Sequence, residues 1–389
     1  MTAWLAAHLA PLMFVALALL LFSGMPVAFG LAGCGLAFAW LGVHFDLMPS
    51  AWIGALPLRV FGIMASELLL AIPFFTFMGL VLDRSGLAQE VLDTAGRLSG
   101  RLRGGVALSV VAVGALLAAT TGVVAAAVIS IGTVSLPLML RQGYNPRIAA
   151  GVVAAAGGLT QIVPPSLSLI VLADQLGRSV GEMYAAALLP AALIIGAYAL
   201  LLGAMVLWRP HWFARAPAES GHAARRGRAP WIVAAAVIAA AAFGAWVAAS
   251  PYPALTLEWG RNVEPAADER VVVAVGVTAL LLIGAAALDQ RMRSGWLSPL
   301  AQRAVLACAP PVVLILLVLG TIYVGLATPT EAGAMGAVGS VLLAAARGRL
   351  ERGVLTEAAL RTAKLSCFVM FILVGSTIFS HTFTALDGN

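Results

Sequence analysis

The sequence predicts an all-α polytopic membrane protein, and three observations support this fold class. Hydrophobic residues make up 61% of the 389-residue chain, and charged residues only 10%. The mean hydropathy is +1.00, which leaves too few polar side chains to cover a soluble domain. Apolar runs of roughly 17–25 residues recur, which is the length that an α-helix needs to cross a bilayer. A transmembrane β-barrel would instead alternate apolar and polar residues.

Polar loops separate the apolar stretches, and the arginines in these loops predict the topology. Because cytoplasmic loops carry an excess of basic residues, we place the arginine-rich loops 83–104, 141–147 and 208–230 in the cytoplasm. The acidic loop 251–270 and the N-terminus are placed outside. The apolar stretches are 11–23, 26–42, 66–82, 105–140, 148–176, 184–207, 231–250, 271–287, 304–325, 329–346 and 365–382.

An internal repeat predicts an inverted-repeat secondary transporter. The segment GMPVAFGLAGCGLAF (24–38) resembles LATPTEAGAMGAVGS (326–340), since each has a proline followed by closely spaced small residues. In each copy, a loop and a second similar apolar segment follow. This second segment is AIPFFTFMGLVLDRSG (71–86) in the first copy and MFILVGSTIFSHTFTALDG (370–388) in the second. Loop 43–65 is assigned to the outside and loop 347–364 to the cytoplasm. The two copies therefore have opposite orientations, as in the inverted repeats of secondary transporters.

The repeat divides the chain into three predicted parts. Residues 1–207 form a first transport repeat, with scaffold helices, a helical hairpin at 105–140 and a broken helix at 148–176. Residues 208–303 form a basic cytoplasmic linker with two extra membrane spans. Residues 304–389 begin a second repeat without counterparts of the hairpin and the broken helix. We expect either a fragment or a chain that another chain completes.

The sequence carries no motif of a metalloprotease or of an ATP-driven pump, because neither an HExxH nor a Walker pattern occurs. Cys34, Cys308 and Cys367 lie singly in apolar segments without CxxC spacing, which favours buried thiols over metal or redox sites. No basic patch with interleaved aromatic residues indicates nucleic-acid binding. The sequence therefore predicts that the protein is not an enzyme.

Two irregular segments inside apolar stretches are the strongest candidates for a binding site. They are ATTGVVAAAVISIGT (119–133) and GGLTQIVPPS (157–166). Proline removes a backbone donor, and lipid cannot satisfy the freed groups, so such a break is expected to line a cavity or bind an ion. The alternative is a proline kink that neighbouring helices satisfy. Free carbonyl and hydroxyl oxygens suit Na+, and free N–H groups suit an anion.

Glu331 follows Thr328 in the segment ATPTEAGAMGA, and two interpretations of it remain. An acid in the first turn of a helix is stabilised by the helix dipole and by capping. Alternatively, the carboxylate contacts the substrate, which would require a cation or a hydrogen-bond donor on that substrate. The capping interpretation is favoured, and Thr328 and Glu331 both stay among the candidate site residues.

Four motifs together resemble the large membrane subunit of tripartite ATP-independent periplasmic (TRAP) transporters: GMPVAFGLAG, IPFFTFMG, LRQGYNPRIAAGVVAAAGGLTQIVPPS and ATPTEAGAMGA. The resemblance covers most of the chain outside 208–303. It implies a sodium-driven importer of organic acids, in which hairpins and broken helices move as an elevator in the bacterial inner membrane. Na+ would be the coupling ion, with no other cofactor. The implied partners are a periplasmic substrate-binding protein and a small four-helix membrane subunit.

The resemblance also implies where the site lies. Its hairpin part falls on Thr121 and Gly122, where many members have Ser-Gly-Ser-Ser and this chain has Thr-Gly-Val-Val. Since two serine hydroxyls are absent, Thr120, Thr121 and Ser130 are the candidate replacements. Na+ is expected at Thr121, Gly122, Gly158 and Thr160. The full set of candidate residues is Thr120, Thr121, Gly122, Ser130, Gly157, Gly158, Thr160, Gln161, Pro164, Pro165, Ser166, Thr328 and Glu331.

We therefore expect a permease subunit that imports an organic acid by sodium-coupled secondary transport with a periplasmic binding protein. Two alternatives stay open: a binding-protein-independent ion/solute carrier or antiporter of related architecture, and a nonfunctional fragment. Loss of uptake when the binding protein is omitted would distinguish the permease subunit from the independent carrier. The sequence leaves the acid unidentified. No arginine lies within an apolar segment to bind a carboxylate, so backbone N–H groups are the expected contact.

Overall fold

In the computed structural model of the protein, the described residues are 2–99, 103–121, 124–213, 230–249, 252, 267–292 and 299–388. These residues form helices and short 3-10 segments, and no β-strand occurs among them. The helices are α1 Thr2–Phe22, α2 Val27–His44, α3 Ala51–Gly54, α4 Leu56–Met64, α5 Ala71–Arg84, α6 Leu87–Ser99, α7 Gly105–Thr121, α8 Val124–Arg141, α9 Pro146–Gly158, α10 Leu167–Leu176, α11 Val180–Trp208, α12 Pro230–Ala249, α13 Ala267–Met292, α14 Pro299–Tyr323, α15 Pro329–Ala346 and α16 Arg352–Ala385. The 3-10 segments are Glu67–Leu70, Leu159–Gln161 and Pro210–Trp212.

Several of these helices can cross a membrane. Within the described residues, five are long and apolar enough: Val27–His44, Val180–Trp208, Arg270–Arg291, Val305–Tyr323 and Arg352–Ala385. A sixth is added if Ala51–Met64 and Glu67–Arg84 are counted as one broken span. The predicted fold class, an all-α polytopic membrane protein, is therefore confirmed.

Three stretches that the sequence indicated as polar loops contain helix. Loop 83–104 contains α6, whose Leu87, Val91 and Leu92 are buried. Loop 43–65 contains α3 and α4, and α16 begins within loop 347–364. The prediction for 83–104 was wrong because an amphipathic helix with charges on its exposed face can have the same mean polarity as a loop.

The chain divides into two compact units, which we describe separately. One unit consists of Met1–Leu69 and Thr362–Asn389, and the other of Leu70–Arg361. The predicted parts 1–207, 208–303 and 304–389 rest on the sequence repeat, and their boundaries stay a prediction. The described residues of both irregular segments belong to the second unit.

In the first unit, glycines allow α2 and the end of α16 to approach each other closely. A Cβ atom at Gly35 would lie 3.0 Å from Cγ2 of Ile378. A Cβ atom at Gly375 would lie 2.5 Å from the carbonyl oxygen of Ala28. Small residues at such positions are typical of helix packing in membranes, where association depends on close backbone approach.

In the second unit, the glycines of α15 pack in the same way against α5. A Cβ atom at Gly333 would lie 3.1 Å from Cβ of Phe74. A Cβ atom at Gly336 would lie 2.7 Å from Sδ of Met78. This packing places α5 beside α15, and α7 also packs against α5.

Candidate functional site

The double-proline segment interrupts the helical backbone between α9 and α10. Helix α9 ends at Gly158, the 3-10 segment Leu159–Gln161 follows, and α10 begins only at Leu167. The backbone from 162 to 166 is not helical, and the peptide bond between Pro164 and Pro165 is cis. The prediction of a broken helix at this point thus corresponds to a real interruption.

Two hydroxyl groups of this segment donate to backbone carbonyl oxygens at the interruption. The Oγ1 hydroxyl of Thr160 donates to the carbonyl oxygen of Gly157 at 2.8 Å, and the Oγ hydroxyl of Ser166 donates to that of Gln161 at 2.7 Å. Thr160 and Ser166 are both 0% exposed. Each hydroxyl oxygen keeps lone pairs after donating its proton, so it can still coordinate a cation.

The α7–α8 helices approach the break through small residues. A Cβ atom at Gly157 would overlap the side chain of Val128 on α8, whose Cα atom lies 3.2 Å from that position. A Cβ atom at Gly114 on α7 would lie 2.7 Å from Cβ of Ala156. The last turn of α9 and the 3-10 segment therefore lie against both hairpin helices.

The N-terminus of α10 faces the break without a side-chain cap. Ser166 occupies the N-cap position, but its side chain accepts no capping bond; its hydroxyl donates to the carbonyl oxygen of Gln161. The first N–H groups of a helix have no partner within the helix, and the helix dipole favours negative charge there. The break thus combines oxygen atoms and backbone N–H groups in one segment.

Ser130, predicted as a replacement hydroxyl, donates a hydrogen bond of 2.6 Å to Oδ1 of Asp83 on α5. Both side chains are partly buried. Sequence reasoning did not include Asp83 among the candidates. Its position directly after the apolar stretch 66–82 is the feature that could have identified it, since a carboxylate at the edge of lipid requires a partner.

The remaining predicted residues divide into two groups. The side chains of Thr120 and Thr121, and the whole of Gly122, lie outside the described residues, so the Na+ prediction that includes them stays a prediction. Thr328 and Glu331 form a capping box at the start of α15, in which Oε2 of Glu331 accepts from the Thr328 backbone N–H at 2.7 Å. Within the described part of the chain, no hydrogen bond joins this pair to the break.

Comparison with known proteins identifies relatives whose names describe transporter permease proteins. The chain is 34% identical over 142 residues to the C4-dicarboxylate TRAP transporter large permease protein DctM of Pseudomonas aeruginosa, covering 36% of this chain and 33% of that protein. It is 26% identical over 362 residues to the protein of the same name from Rhodobacter capsulatus, covering 93% and 66%. It is 29% identical over 179 residues to the 2,3-diketo-L-gulonate TRAP transporter large permease protein YiaN of Escherichia coli, covering 46% and 40%. The chain thus spans less than two thirds of the length of each of these relatives.

The family match extends over nearly the whole chain. Residues 14–388 match the family described as tripartite ATP-independent periplasmic transporter, DctM component. The matched range contains both irregular segments, the four motifs and the two repeat copies. The chain therefore belongs to the DctM family, a family of membrane transport components.

Proposed function

We propose that this protein is a permease subunit that imports an organic acid, a carboxylate, across the bacterial inner membrane by sodium-coupled secondary transport. The observation that carries the proposal is the non-helical segment 162–166, enclosed by apolar helices in a member of a transporter family. Interrupted backbone among membrane helices is expected where it lines a cavity or binds an ion.

The chemistry of the break supports sodium and carboxylate as its ligands. Na+ is a hard cation that prefers oxygen, and Thr160 supplies a hydroxyl beside the carbonyls of the last turn of α9. A carboxylate would accept from the first N–H groups of α10, which Ser166 leaves uncapped. This arrangement binds an anion without an arginine, in agreement with the absence of arginine from the apolar stretches.

Two partners complete the proposed transporter. A periplasmic binding protein would deliver the acid, and a small four-helix membrane subunit would join this chain in the membrane. The family description supports this part of the proposal, because it names a tripartite system of which DctM is one component. The names of the relatives refer to C4-dicarboxylates and to 2,3-diketo-L-gulonate, which are organic acids.

Uptake in proteoliposomes tests this function. The chain is reconstituted with the small membrane subunit and the binding protein of the same organism, and uptake of a radiolabelled acid is followed. The acid is first chosen by thermal-shift screening of the binding protein against organic acids. We expect uptake to require both an inward Na+ gradient and the binding protein. Uptake that persists without the binding protein would indicate an independent carrier, and uptake unchanged in K+ would exclude sodium coupling.

A further inference from the structure

A groove between α9 and α11, with its floor on α7, lies on a part of the second unit that the proposed transport site does not use. Its volume is about 220 Å³, and its wall is almost entirely apolar. Arg147, Gly151 and Ala155 line it along α9, and Leu201 and Met205 line it along α11. At 1.5 Å per residue, the α9 side of the groove is about 12 Å long. Its shape is that of a narrow trough for a hydrocarbon chain.

One end of this groove carries a positive charge. Arg147 lies in the first turn of α9, and its backbone N–H donates to Oδ1 of Asn145 at 3.0 Å, which fixes this turn. Among the residues that the structure describes, no carboxylate forms an ion pair with the Arg147 guanidinium. An exposed guanidinium at the end of an apolar trough therefore has its charge available for an anion.

A second cation and an aromatic ring belong to the same end of the unit. The backbone N–H of Asn145 donates to the carbonyl oxygen of Trp212 at 2.9 Å. The Arg209 guanidinium lies 5.3 Å from the centre of the Trp212 ring. Arginine together with tryptophan is typical of the headgroup level of a bilayer, and the excess of arginine in loops 141–147 and 208–230 assigns this level to the cytoplasmic side.

We propose that this groove is a binding site for an anionic phospholipid of the cytoplasmic leaflet. The phosphate lies against Arg147, and one acyl chain follows Gly151 and Ala155 towards the middle of the membrane. The apolar wall selects a hydrocarbon chain, and the Arg147 guanidinium selects a negative headgroup. Leu201 on the opposite wall is 58% exposed, so the trough is accessible from the lipid side. This site is independent of the proposed transport function.

Two substitutions with matched controls test the site. Arg147→Gln removes the charge, and Arg141→Gln removes another exposed arginine of the same basic loop that does not line the groove. Gly151→Leu fills the trough, and Gly203→Leu adds the same side chain elsewhere on α11. A Cβ atom would meet nothing within 4 Å at either glycine, so both leucines can be accommodated.

The measurement is native mass spectrometry of the full chain, purified with the subunits that remain bound to it. The chain is titrated with phosphatidylglycerol or with phosphatidylcholine of identical acyl chains. We expect Arg147→Gln to weaken phosphatidylglycerol binding about fivefold and to remove the preference over phosphatidylcholine. Gly151→Leu is expected to reduce the binding of both lipids, and the two control variants to bind as the unmodified chain does.

Several results would overturn the proposal. Equal binding of the two lipids by the unmodified chain would exclude selection by charge, and unchanged binding in Gly151→Leu would place the lipid elsewhere. Displacement of phosphatidylglycerol by inorganic phosphate alone would indicate a simple anion site. Lipid binding that is absent from preparations containing the small membrane subunit, and present in those without it, would identify that subunit as the occupant. Circular dichroism of each variant verifies folding, and Arg147→Lys, which keeps the charge, must retain the preference for phosphatidylglycerol.

Discussion

Ser130 on α8 donates a hydrogen bond of 2.6 Å to the carboxylate of Asp83 on α5. The two residues are 47 positions apart, and their bond ties the second helix of the hairpin to α5. Hydrogen bonds to charged groups contribute roughly 1.5–3 kcal/mol, about twice the value of neutral pairs. Ser130, predicted as a hydroxyl ligand for the ion, thus has a structural role in the contact between α8 and α5.

Replacing Ser130 tests that role. We expect Ser130→Ala to lower the free energy of unfolding by roughly 1–3 kcal/mol, because Asp83 loses a donor in a partly buried environment. Thermal unfolding in detergent provides the measurement. Ser130→Thr keeps the hydroxyl and is the matched control. A Ser130→Ala variant of unchanged stability but lower Na+ affinity would instead identify Ser130 as an ion ligand.

Neighbouring glycines at the end of α9 provide a second test. Gly157→Ala places a methyl group where the side chain of Val128 already lies, so we expect a destabilisation of about 1–3 kcal/mol from overpacking. Gly158→Ala meets no atom within 4 Å, at a helical φ of −62°. It should be neutral or stabilising by up to about 1 kcal/mol.

Thermal unfolding of the two glycine variants compares them directly. Val128→Ala should restore much of the stability lost in Gly157→Ala, because it removes the overlapping atoms. Equal destabilisation by the two alanines, or no rescue by the second substitution, would contradict the close approach of α8 to the break.

Local sequence indicates the position of the break but does not decide it. A proline disfavours helix at its own residue and in the turn before it, so Pro164 and Pro165 point to the interruption. Pro310 and Pro311 nevertheless lie inside the continuous helix α14, so a double proline alone is not sufficient. The partners of Thr160 and Ser166 are also local, but which carbonyl each hydroxyl reaches depends on the exact backbone path. The contact of Ser130 with Asp83 joins two distant helices, and no periodicity in the sequence indicates it.

The repeat similarity has a structural counterpart within each unit. In the first unit, α2 of the first copy packs through Gly35 against Ile378, which belongs to the second segment of the second copy. In the second unit, α15 of the second copy packs through Gly336 against Met78, which belongs to the second segment of the first copy. The inverted orientation of the copies and the elevator movement stay predictions.

Alanine substitution of the buried hydroxyls tests the ion site. Thr160→Ala and Ser166→Ala each remove an oxygen atom from the break, and we expect the Na+ concentration for half-maximal uptake to rise about tenfold, as for loss of one charge-assisted contact. The amount of folded protein should fall by a smaller factor than the Na+ affinity. Thr160→Ser keeps the oxygen and is the control for Thr160. Unchanged Na+ affinity in both alanine variants would remove these residues from the site.

Charged residues at the ends of several helices form an ion-pair cluster in the second unit. Glu90 on α6 pairs with Arg349 at 2.7 Å and with Arg347 at 3.7 Å. Glu357 on α16 pairs with Arg84 at 3.0 Å. These residues come from the loops 83–104 and 347–364, which the arginine distribution assigns to the same side of the membrane. Their pairing agrees with that part of the predicted topology.

Removing the charge of Glu90 should destabilise the second unit modestly. The side chains of Glu90 and Arg349 are 33% and 39% exposed, so we expect Glu90→Gln to lower the free energy of unfolding by about 1 kcal/mol at low ionic strength. The difference should shrink in about 1 M salt, where the Debye length is about 3 Å. Thermal unfolding in potassium chloride measures this difference in stability between Glu90→Gln and the unmodified protein, without a contribution from Na+ binding. A loss in Glu90→Gln that is equal at low and high salt would indicate that packing, and not charge, holds these helix ends together.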